Sequence, residues 1–572
     1  MPAVKHMKWW GWGVEGVSFH WEDKPAFPAF VSRAVGIDIT QAPESPKSIA
    51  ELHVPAPQIA DDVRGRLTDA VGATNVAYDD LERVVHTYGK SLRDLLRLRA
   101  ADLPRVPDAV VYPGGEDDVR ALVDLAAEAD LVLIPFGGGS NISGSLHPLA
   151  EETRTVVSVD LGRMDQVLDL DEDSGLARVQ AGVLGPDLEE QLGRRGWTMG
   201  HFPDSFTHST LGGWVATRSS GMQSDKYGDI ARIARGMRVV QPGPAGRGGS
   251  GGSSPSEKAQ TLVVRAVPST STGPSTREMV LGSEGRLGVI TEVTVQVHRI
   301  PENRLMLAYL FPSFEAGLAA MQEISSSDAH PSVTRVSDQF ETQMSLATRK
   351  ASKGFSISST VGNQLFKLLE RRGWDLDQAC LSFIGYEGGR AHVAHEKGIV
   401  SAIVKAHGGV GLGKGPAVLY DQKKFDTPYI RDFLLDRGGA ADVSETAAPW
   451  SKLFPLYTAV VENVRKVYAD LGVTGWIMCH LSHSEHSGAC LYFTFAFAHD
   501  ANPIAQYDRV KEALQGTFIE AGGTLSHHHA VGTEHSRWLG DDISEQGVLM
   551  VQGVIDTVDP SHRLNPGKIT SV

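Results

Sequence analysis

Cysteine is scarce in this 572-residue sequence: only Cys380, Cys479 and Cys490 occur, and none has C-x-x-C spacing. That excludes a disulfide framework and a cysteine-based zinc site, and it points to a reducing compartment, so a cytoplasmic location is expected. Long apolar runs are lacking as well, and none reaches the roughly 18 residues of a spanning helix. Trp9, Trp10 and Trp12 lie near Lys5 and Lys8 without the apolar stretch of a signal peptide. Thr570-Ser571-Val572 is not a peroxisomal address of the Ser-Lys-Leu kind. Positive charge is in deficit, 54 Lys and Arg against 69 Asp and Glu, and the net −15 argues against nucleic acid as a partner. The usual nucleotide fingerprints fail too. Gly137 and Gly139 begin a G-x-G-x-x-G pattern, but Ile142 takes the last glycine position. Gly413-Lys414 is followed by Gly415, which leaves no hydroxyl for a Walker magnesium.

What is present is an ordinary globular composition, 41% hydrophobic and 22% charged, in a chain too long for one core. Residues 1–100 read as an accessory N-terminal segment ending in an amphipathic helix over Ser91 to Ala101. Residues 101–300 read as an α+β domain. In it the strand at Val110 and Val111, the helix Glu116 to Ala129 and the strand Leu131 to Pro135 form a strand-helix-strand unit. Short β-like runs follow at Thr155 to Val159, Ala177 to Gln180, Leu262 to Val267 and Val289 to Val297, with a helix at Gly185 to Arg194. The low-complexity stretch 242–258 predicts a flexible surface loop. Residues 301–520 alternate strands (Leu305 to Leu310, Ala379 to Tyr386, Cys490 to Phe497) with helices (Phe314 to Ser325, Ala391 to Ala406), which predicts an antiparallel sheet carrying helices. A C-terminal segment, 521–572, holds Ser526-His527-His528-His529 and a helix around Asp541 to Thr557.

The strand at Leu131 to Pro135 runs into Gly137-Gly138-Gly139. Three adjacent glycines let a ligand approach the backbone closely and let several amides point at one anion, as a diphosphate requires. The same residues also suit a plain tight turn. Two further segments share this chemistry of glycine with small hydroxyl residues, PDSFTHSTLGGWVATRSSG at 203–221 and GSEGRLGVIT at 282–291. Such backbone-lined stretches can hold a long polar cofactor in extended form.

Together the three segments resemble the FAD-binding fold of the vanillyl-alcohol oxidase and p-cresol methylhydroxylase superfamily. That resemblance implies a two-subdomain FAD-binding fold with an antiparallel-sheet cap domain, α+β in class. It implies that Pro135-Phe136-Gly137-Gly138-Gly139-Ser140-Asn141 cradles the diphosphate. Asp204-Ser205-Phe206-Thr207-His208-Ser209-Thr210 and Thr217-Arg218-Ser219-Ser220 would run beside ribityl and isoalloxazine. Glu284-Gly285-Arg286-Leu287-Gly288-Val289-Ile290 would close over the adenine side. The first loop has no cysteine or histidine, so the FAD is expected to be non-covalent.

Within the superfamily the chain resembles the alkylglycerone-phosphate synthase family. The landmarks run from Met7-Lys8-Trp9 and Gly11-Trp12-Gly13 through Pro331 to Arg335, Pro428 to Asp432, Glu445 to Trp450 and Gly488 to Phe493, ending at the histidine triplet. The resemblance implies an FAD-dependent transferase that exchanges the acyl chain of acyl-dihydroxyacetone phosphate for a fatty alcohol in ether lipid synthesis, the flavin serving as electron sink and covalent handle. It also implies a homodimer and an apolar tunnel for the alcohol, with peripheral membrane contact to deliver it. By that likeness Tyr492 is the acid/base tyrosine, His527, His528 and His529 stand beside phosphate and flavin, Arg335 orders the active site and Arg431 binds the phosphate. Taken alone, the same residues have plainer readings. Arg431 before Asp432 is a solvated helix face, Tyr492 a half-buried strand aromatic, Arg335 an ion-pair partner, and the triplet a surface loop or a fortuitous metal binder.

A rival reading is an FAD-linked 2-hydroxy acid dehydrogenase of the D-lactate type. Cys479-His480-Leu481 resembles its first metal-binding motif, and Leu564-Asn565-Pro566-Gly567-Lys568 resembles the endings of oxidase members. A metal site there also needs a second histidine and a carboxylate, and the aligned positions hold Tyr492 and His528. No metal is therefore expected. A flavin-fold protein kept only as a binding module is a third, non-enzymatic reading.

Overall fold

The computed structural model describes residues 4–243, 258–350, 366–417, 425 and 427–570. The stretch expected as a flexible loop lies mostly outside them, at 244–257.

Four strands build the first sheet: β1 (Val76–Ala77), β2 (Ala109–Val111), β3 (Val132–Phe136) and β4 (Val156–Asp160), in the order β1-β2-β4-β3. β2, β4 and β3 run parallel, and apart from Pro135 their residues are buried, as a parallel sheet covered on both faces requires. The helix Glu116–Ala129 crosses from β2 to β3. It carries Glu116, Asp117 and Asp118 in its first turn, where the helix dipole favours acid, and it buries Val119, Leu122, Val123 and Ala126. This is the strand-helix-strand unit expected from the sequence, and it delivers the chain directly into the glycine loop.

A second, antiparallel sheet contains β5 (Val167–Asp171), β6 (Leu176–Gln180), β8 (Ala234–Gln241), β9 (Gln260–Val264) and β10 (Val289–Gln296), ordered β5-β6-β10-β8-β9; β7 (Trp197–Thr198) and β11 (His298–Arg299) form a separate pair. One hydrophobic core joins the two larger sheets through Leu133, Val157, Val179, Val239 and Val293.

Seven strands form the third sheet: β12 (Asn303–Phe311), β13 (Val333–Ser337), β14 (Cys380–Gly388), β15 (Val410–Gly413), β16 (Gly439–Pro449), β17 (Gly475–Ser482) and β18 (Gly488–Ala498), ordered β15-β12-β14-β13-β17-β18-β16 and antiparallel throughout. Pleating gives its strands two chemistries. On β18, Leu491, Phe493 and Phe497 enter the core beneath the helices Trp450–Leu471 and Pro503–Glu520, while Tyr492, Thr494 and Ala496 point into a large cavity. On β17, Ile477, Cys479 and Leu481 are core, and Met478, His480 and Ser482 line the cavity.

The chain ends return to this cavity. Leu564 bridges to Leu133 in parallel, so the C-terminal segment lies along β3. The helix Leu539–Val558 precedes it and is interrupted at Ser544, whose φ is 69°. At the other end, the helix Phe27–Val35 buries Phe27, Phe30, Val31, Ala34 and Val35. Among the described residues no helix is long and apolar enough to cross a membrane.

Candidate active site

The glycine loop follows β3 and is held from several sides. The Asn141 carbonyl accepts from Lys90 N at 2.6 Å, while the Asn141 Oδ1 accepts from Ser143 N at 3.0 Å and Ser145 N at 2.9 Å. A Cβ on Gly138 would run into the His208 carbonyl, and Gly139 has φ of 67°, in the left-handed region. The loop thus lies against the 203–210 segment with no room for side chains, as a backbone cradle for a diphosphate needs.

That cradle opens one long cavity between the first two sheets and the cap sheet. Pro135 to Asn141 all line it, with Asp204, Ser205, Ser209, Thr210, Thr217, Ser219, Ser220, Glu284, Gly285, Gly288 and Ile290. The other residues expected at the cofactor do not line it, each for a packing reason. Phe206 stacks on Phe425 at 5.4 Å, and Thr207 is exposed. His208 meets Trp12 edge-on at 5.6 Å. Arg218 pairs with Glu278 at the surface, and Arg286 donates to the Leu564 carbonyl at 3.0 Å. The Leu287 carbonyl accepts from Gln241, and Val289 is core on β10. These seven shape the walls behind the groove.

At the far end of the groove the cap supplies a row of polar side chains. Strand register places His480 opposite Tyr492, and Tyr492 opposite Glu445, on β17, β18 and β16. The Tyr492 ring is stacked on His480 at 4.9 Å and on His528 at 5.9 Å, with interplanar angles of 21° and 18°. His529 meets it edge-on at 5.4 Å. Burial pushes the Tyr492 hydroxyl well above its ordinary value, with Asp204 and Glu445 adding to it. It is therefore a phenol at neutral pH, and it has no hydrogen-bond partner among the described residues.

Glu445 organises the histidines, and the sequence reading gave it no role. Its Oε1 accepts from Ser526 Oγ at 2.7 Å and from the backbone N–H of His528 and His529 at 3.0 Å; its Oε2 accepts from His527 N at 2.6 Å. Burial works to raise this carboxyl, but the neighbouring imidazoles and amides outweigh it and hold it well below the carboxylate range. Burial conversely drives His528 far below, and His529 down to about 4, so both rings are neutral at neutral pH. Glu445, Cys490, His527 and His528 bring possible ligand atoms within 4.8 Å of one another, yet each Glu445 oxygen is already engaged by N–H or O–H donors. His528 and His529 line the cavity; His527 does not. The signal in the sequence was a glutamate, three residues after Asp442, in the small-residue strand GAADVSETAAP.

Arg335 reaches Glu341 Oε1 at 2.6 Å and His480 Nδ1 at 3.0 Å, and Glu341 Oε2 lies 2.9 Å from the same nitrogen. His480 Nδ1 is thus committed to a protein network. Arg431 lines the cavity from the helix Thr427–Leu435; its Nη1 donates to the Lys90 carbonyl at 2.5 Å and its Nη2 lies 3.3 Å from Asp432 Oδ1. Two buried residues had no site role in the sequence reading. His201 meets Ser219 Oγ at 2.7 Å, and burial lowers its pKa to about 3. Trp12 lines the cavity, and its backbone N–H donates to Asp432 Oδ2 at 2.5 Å. Beyond Arg431 the cavity turns apolar, along Phe27, Phe30, Val31, Met344, Leu434 and Trp476.

Comparison with known proteins agrees with this division. Residues 107–246 match the FAD binding domain family and residues 300–569 the C-terminal domain of FAD linked oxidases. P-cresol methylhydroxylase shares the fold, with TM-score 0.62 at 14% identity over 90% of this chain and 98% of that one. The chain is therefore a flavoprotein of this two-part architecture, with FAD as its cofactor. It is 40% identical to the alkyldihydroxyacetonephosphate synthase of Dictyostelium discoideum over 86% of this chain and 78% of the relative. A solved alkyldihydroxyacetonephosphate synthase superposes with TM-score 0.83 at 34% identity, covering 98% of both chains. The chain belongs to the alkyldihydroxyacetonephosphate synthase family.

Proposed function

We propose that this enzyme exchanges the acyl chain of acyl-dihydroxyacetone phosphate for a fatty alcohol. The observation that carries the reading is the position of Tyr492, at the junction of the FAD groove and the apolar arm, stacked between His480 and His528. When bound, the flavin supplies an electron sink and a covalent handle for the substrate carbon. The glycine loop Pro135 to Asn141 would hold its diphosphate non-covalently. The chain's own side chains supply the rest.

Tyr492 presents an acid/base oxygen to the carbon that bears the ester, within reach of neutral His528 and His529. Arg431 offers its guanidinium to the phosphate, with its backbone partner Lys90 and Asp432 setting its direction. Arg335 fixes His480 through Glu341 and so fixes one face of Tyr492. The apolar arm from Phe27 to Trp476 takes the alkyl chain. Functionally the chain divides into 1–100, which walls that arm, 101–300 for FAD, 301–520 as the cap, and 521–572, which brings the histidines back. Delivery of the alcohol from a bilayer surface and pairing into a homodimer complete the proposal.

The test is turnover of acyl-dihydroxyacetone phosphate with hexadecanol under anaerobic conditions, followed by product mass and flavin absorbance. Ether formation without net bleaching is expected. Bleaching by D-lactate with no ether product would transfer the assignment to 2-hydroxy acid oxidation.

A further inference from the structure

The histidine pair His527 and His528 has a cavity on each side. A second, polar cavity, bounded by Ser220, Asp225, Arg232, Ser484, Glu485 and His486, reaches His527, which the main cavity does not. Ser220, Thr334 and His483 line both. A hydrogen bond, His527 Nδ1 to His528 Nδ1 at 3.0 Å, joins a ring of the second cavity to a ring of the main one.

The backbone N–H groups of both residues donate to the Glu445 carboxylate, so the contact between their rings is held by the strand beneath them. A bond between two imidazole nitrogens needs one N–H and one lone pair. If His528 Nδ1 donates, its Nε2 carries a lone pair on the ring that lines the main cavity. A proton taken up at that Nε2 is balanced by the Nδ1 proton passing to His527 Nδ1. His527, momentarily an imidazolium, then releases its Nε2 proton to water on the second-cavity side. Neither Nε2 makes a hydrogen bond to the described residues.

We infer that His528 and His527 form a proton relay joining the reacting carbon to solvent through the second cavity, with His527 acting through His528 as a positioning residue. The inference rests on the proposed synthase reaction, whose balance calls for such a route. An ester and an alcohol give an ether and a carboxylic acid, so the alcohol's proton departs on the fatty acid, while the hydrogen that the ester carbon loses has to be stored and returned. Its passage out along the relay exchanges the two tautomers and its return along the same path resets them. The titratable groups around His527 are the His483 ring stacked on it at 5.4 Å, His528, Glu445, and, lining the second cavity, Asp225, Asp229, His330, Glu485 and His486. Asp225 is held by Thr334 N at 2.6 Å and Ser484 N at 2.9 Å, and Glu485 by Arg232 at 2.7 Å. His527 is the group of that cavity hydrogen-bonded to a ring that lines the main one.

The test compares the FAD-loaded full-length enzyme with His527→Gln and His527→Gly, measuring ether formation in H₂O and D₂O and deuterium uptake at the substrate carbon by NMR. The Glu445 anchor uses the backbone of residue 527, so both variants keep it. H527Q is expected to retain FAD and the acyl-substrate KM while kcat falls at least about tenfold, with slowed deuterium uptake and a larger solvent isotope effect. Added imidazole should restore turnover in H527G. Unchanged kcat and isotope effect in H527Q, or an H527G deficit that imidazole leaves untouched, overturns the relay while ether synthesis by the wild type stands. A wild type that forms no ether overturns the synthase reading and the relay with it.

Discussion

Single side chains in this site do their work by fixing the protonation of others. Glu445 accepts four donors while fully buried, so Glu445→Gln would turn one acceptor into a donor facing an N–H. The expected cost is roughly 1–3 kcal/mol for the buried mismatch, read by urea denaturation, with loss of ether synthesis at unchanged FAD content. His201 offers a cleaner titration, because burial alone lowers its pKa to about 3. The unfolded chain protonates this group near 6.5, so between these values the unfolded state binds more protons and acid destabilises the fold. His201→Gln keeps a partner for Ser219 and removes that linkage. From pH 7 to pH 5 the variant should gain about 2 kcal/mol on the wild type, at about 1.4 kcal/mol per pH unit below 6.5; a pH-independent difference would refute a neutral buried imidazole. Arg431→Ala should raise KM for the phosphate substrate by at least about tenfold, the worth of a charge-assisted bond, and leave FAD affinity unchanged. Equal loss of both would place Arg431 at the cofactor instead.

Elements decide which of these side chains meet. β17 and β18 alternate core and cavity residues so regularly that a one-residue slip would bury Tyr492 among the helices and put Phe493 in the groove. The strand over Cys490 to Phe497 and its aromatic content were legible in the sequence because they follow period two. β16, Gly439–Pro449, was not, since its glycine and alanines have low strand propensity and only pairing with β18 along its whole length makes it a strand. The helix Trp450–Leu471 was missed for a related reason: Pro455 interrupts its first turns, although its buried stripe from Leu453 to Tyr468 is regular. The glycine loop could be read because three adjacent glycines have few structural uses. Gly138→Ala tests it at this scale. The added Cβ meets the rigid His208 carbonyl, so the purified variant should lose its 450 nm absorbance while its far-UV spectrum stays unchanged.

At the scale of the whole molecule the cavity belongs to no single segment. Trp12 and Phe30 come from the N-terminal stretch, Gly137 and Ser219 from loops of the segment 101–300, Tyr492 from the cap, and His528 and Asn565 from the C-terminal return. Sequence motifs picked out the glycine-rich wall of the cavity because its residues sit in short continuous runs. The apolar arm was invisible because its lining is scattered over hundreds of residues and each piece reads as ordinary core. The helix Phe27–Val35 illustrates this: by sequence it is accessory, yet it packs on Phe433, Leu434, Ala441 and Ala496 and presents Phe27, Phe30 and Val31 to the cavity. Removing residues 1–40 should therefore leave the glycine loop, the two FAD sheets and the yellow colour intact. It would strip one wall from the alkyl arm and expose the apolar patch beneath it. Expected outcomes are retained FAD by absorbance, ether synthesis reduced at least about a hundredfold through lost positioning, and concentration-dependent association by light scattering. The substitution Val31→Trp addresses the same wall without deletion, since it narrows the arm and should shift preference toward shorter alcohols. Full turnover of hexadecanol by the truncated chain would show that the alkyl group lies elsewhere, and the N-terminal segment would return to the accessory status its sequence suggests.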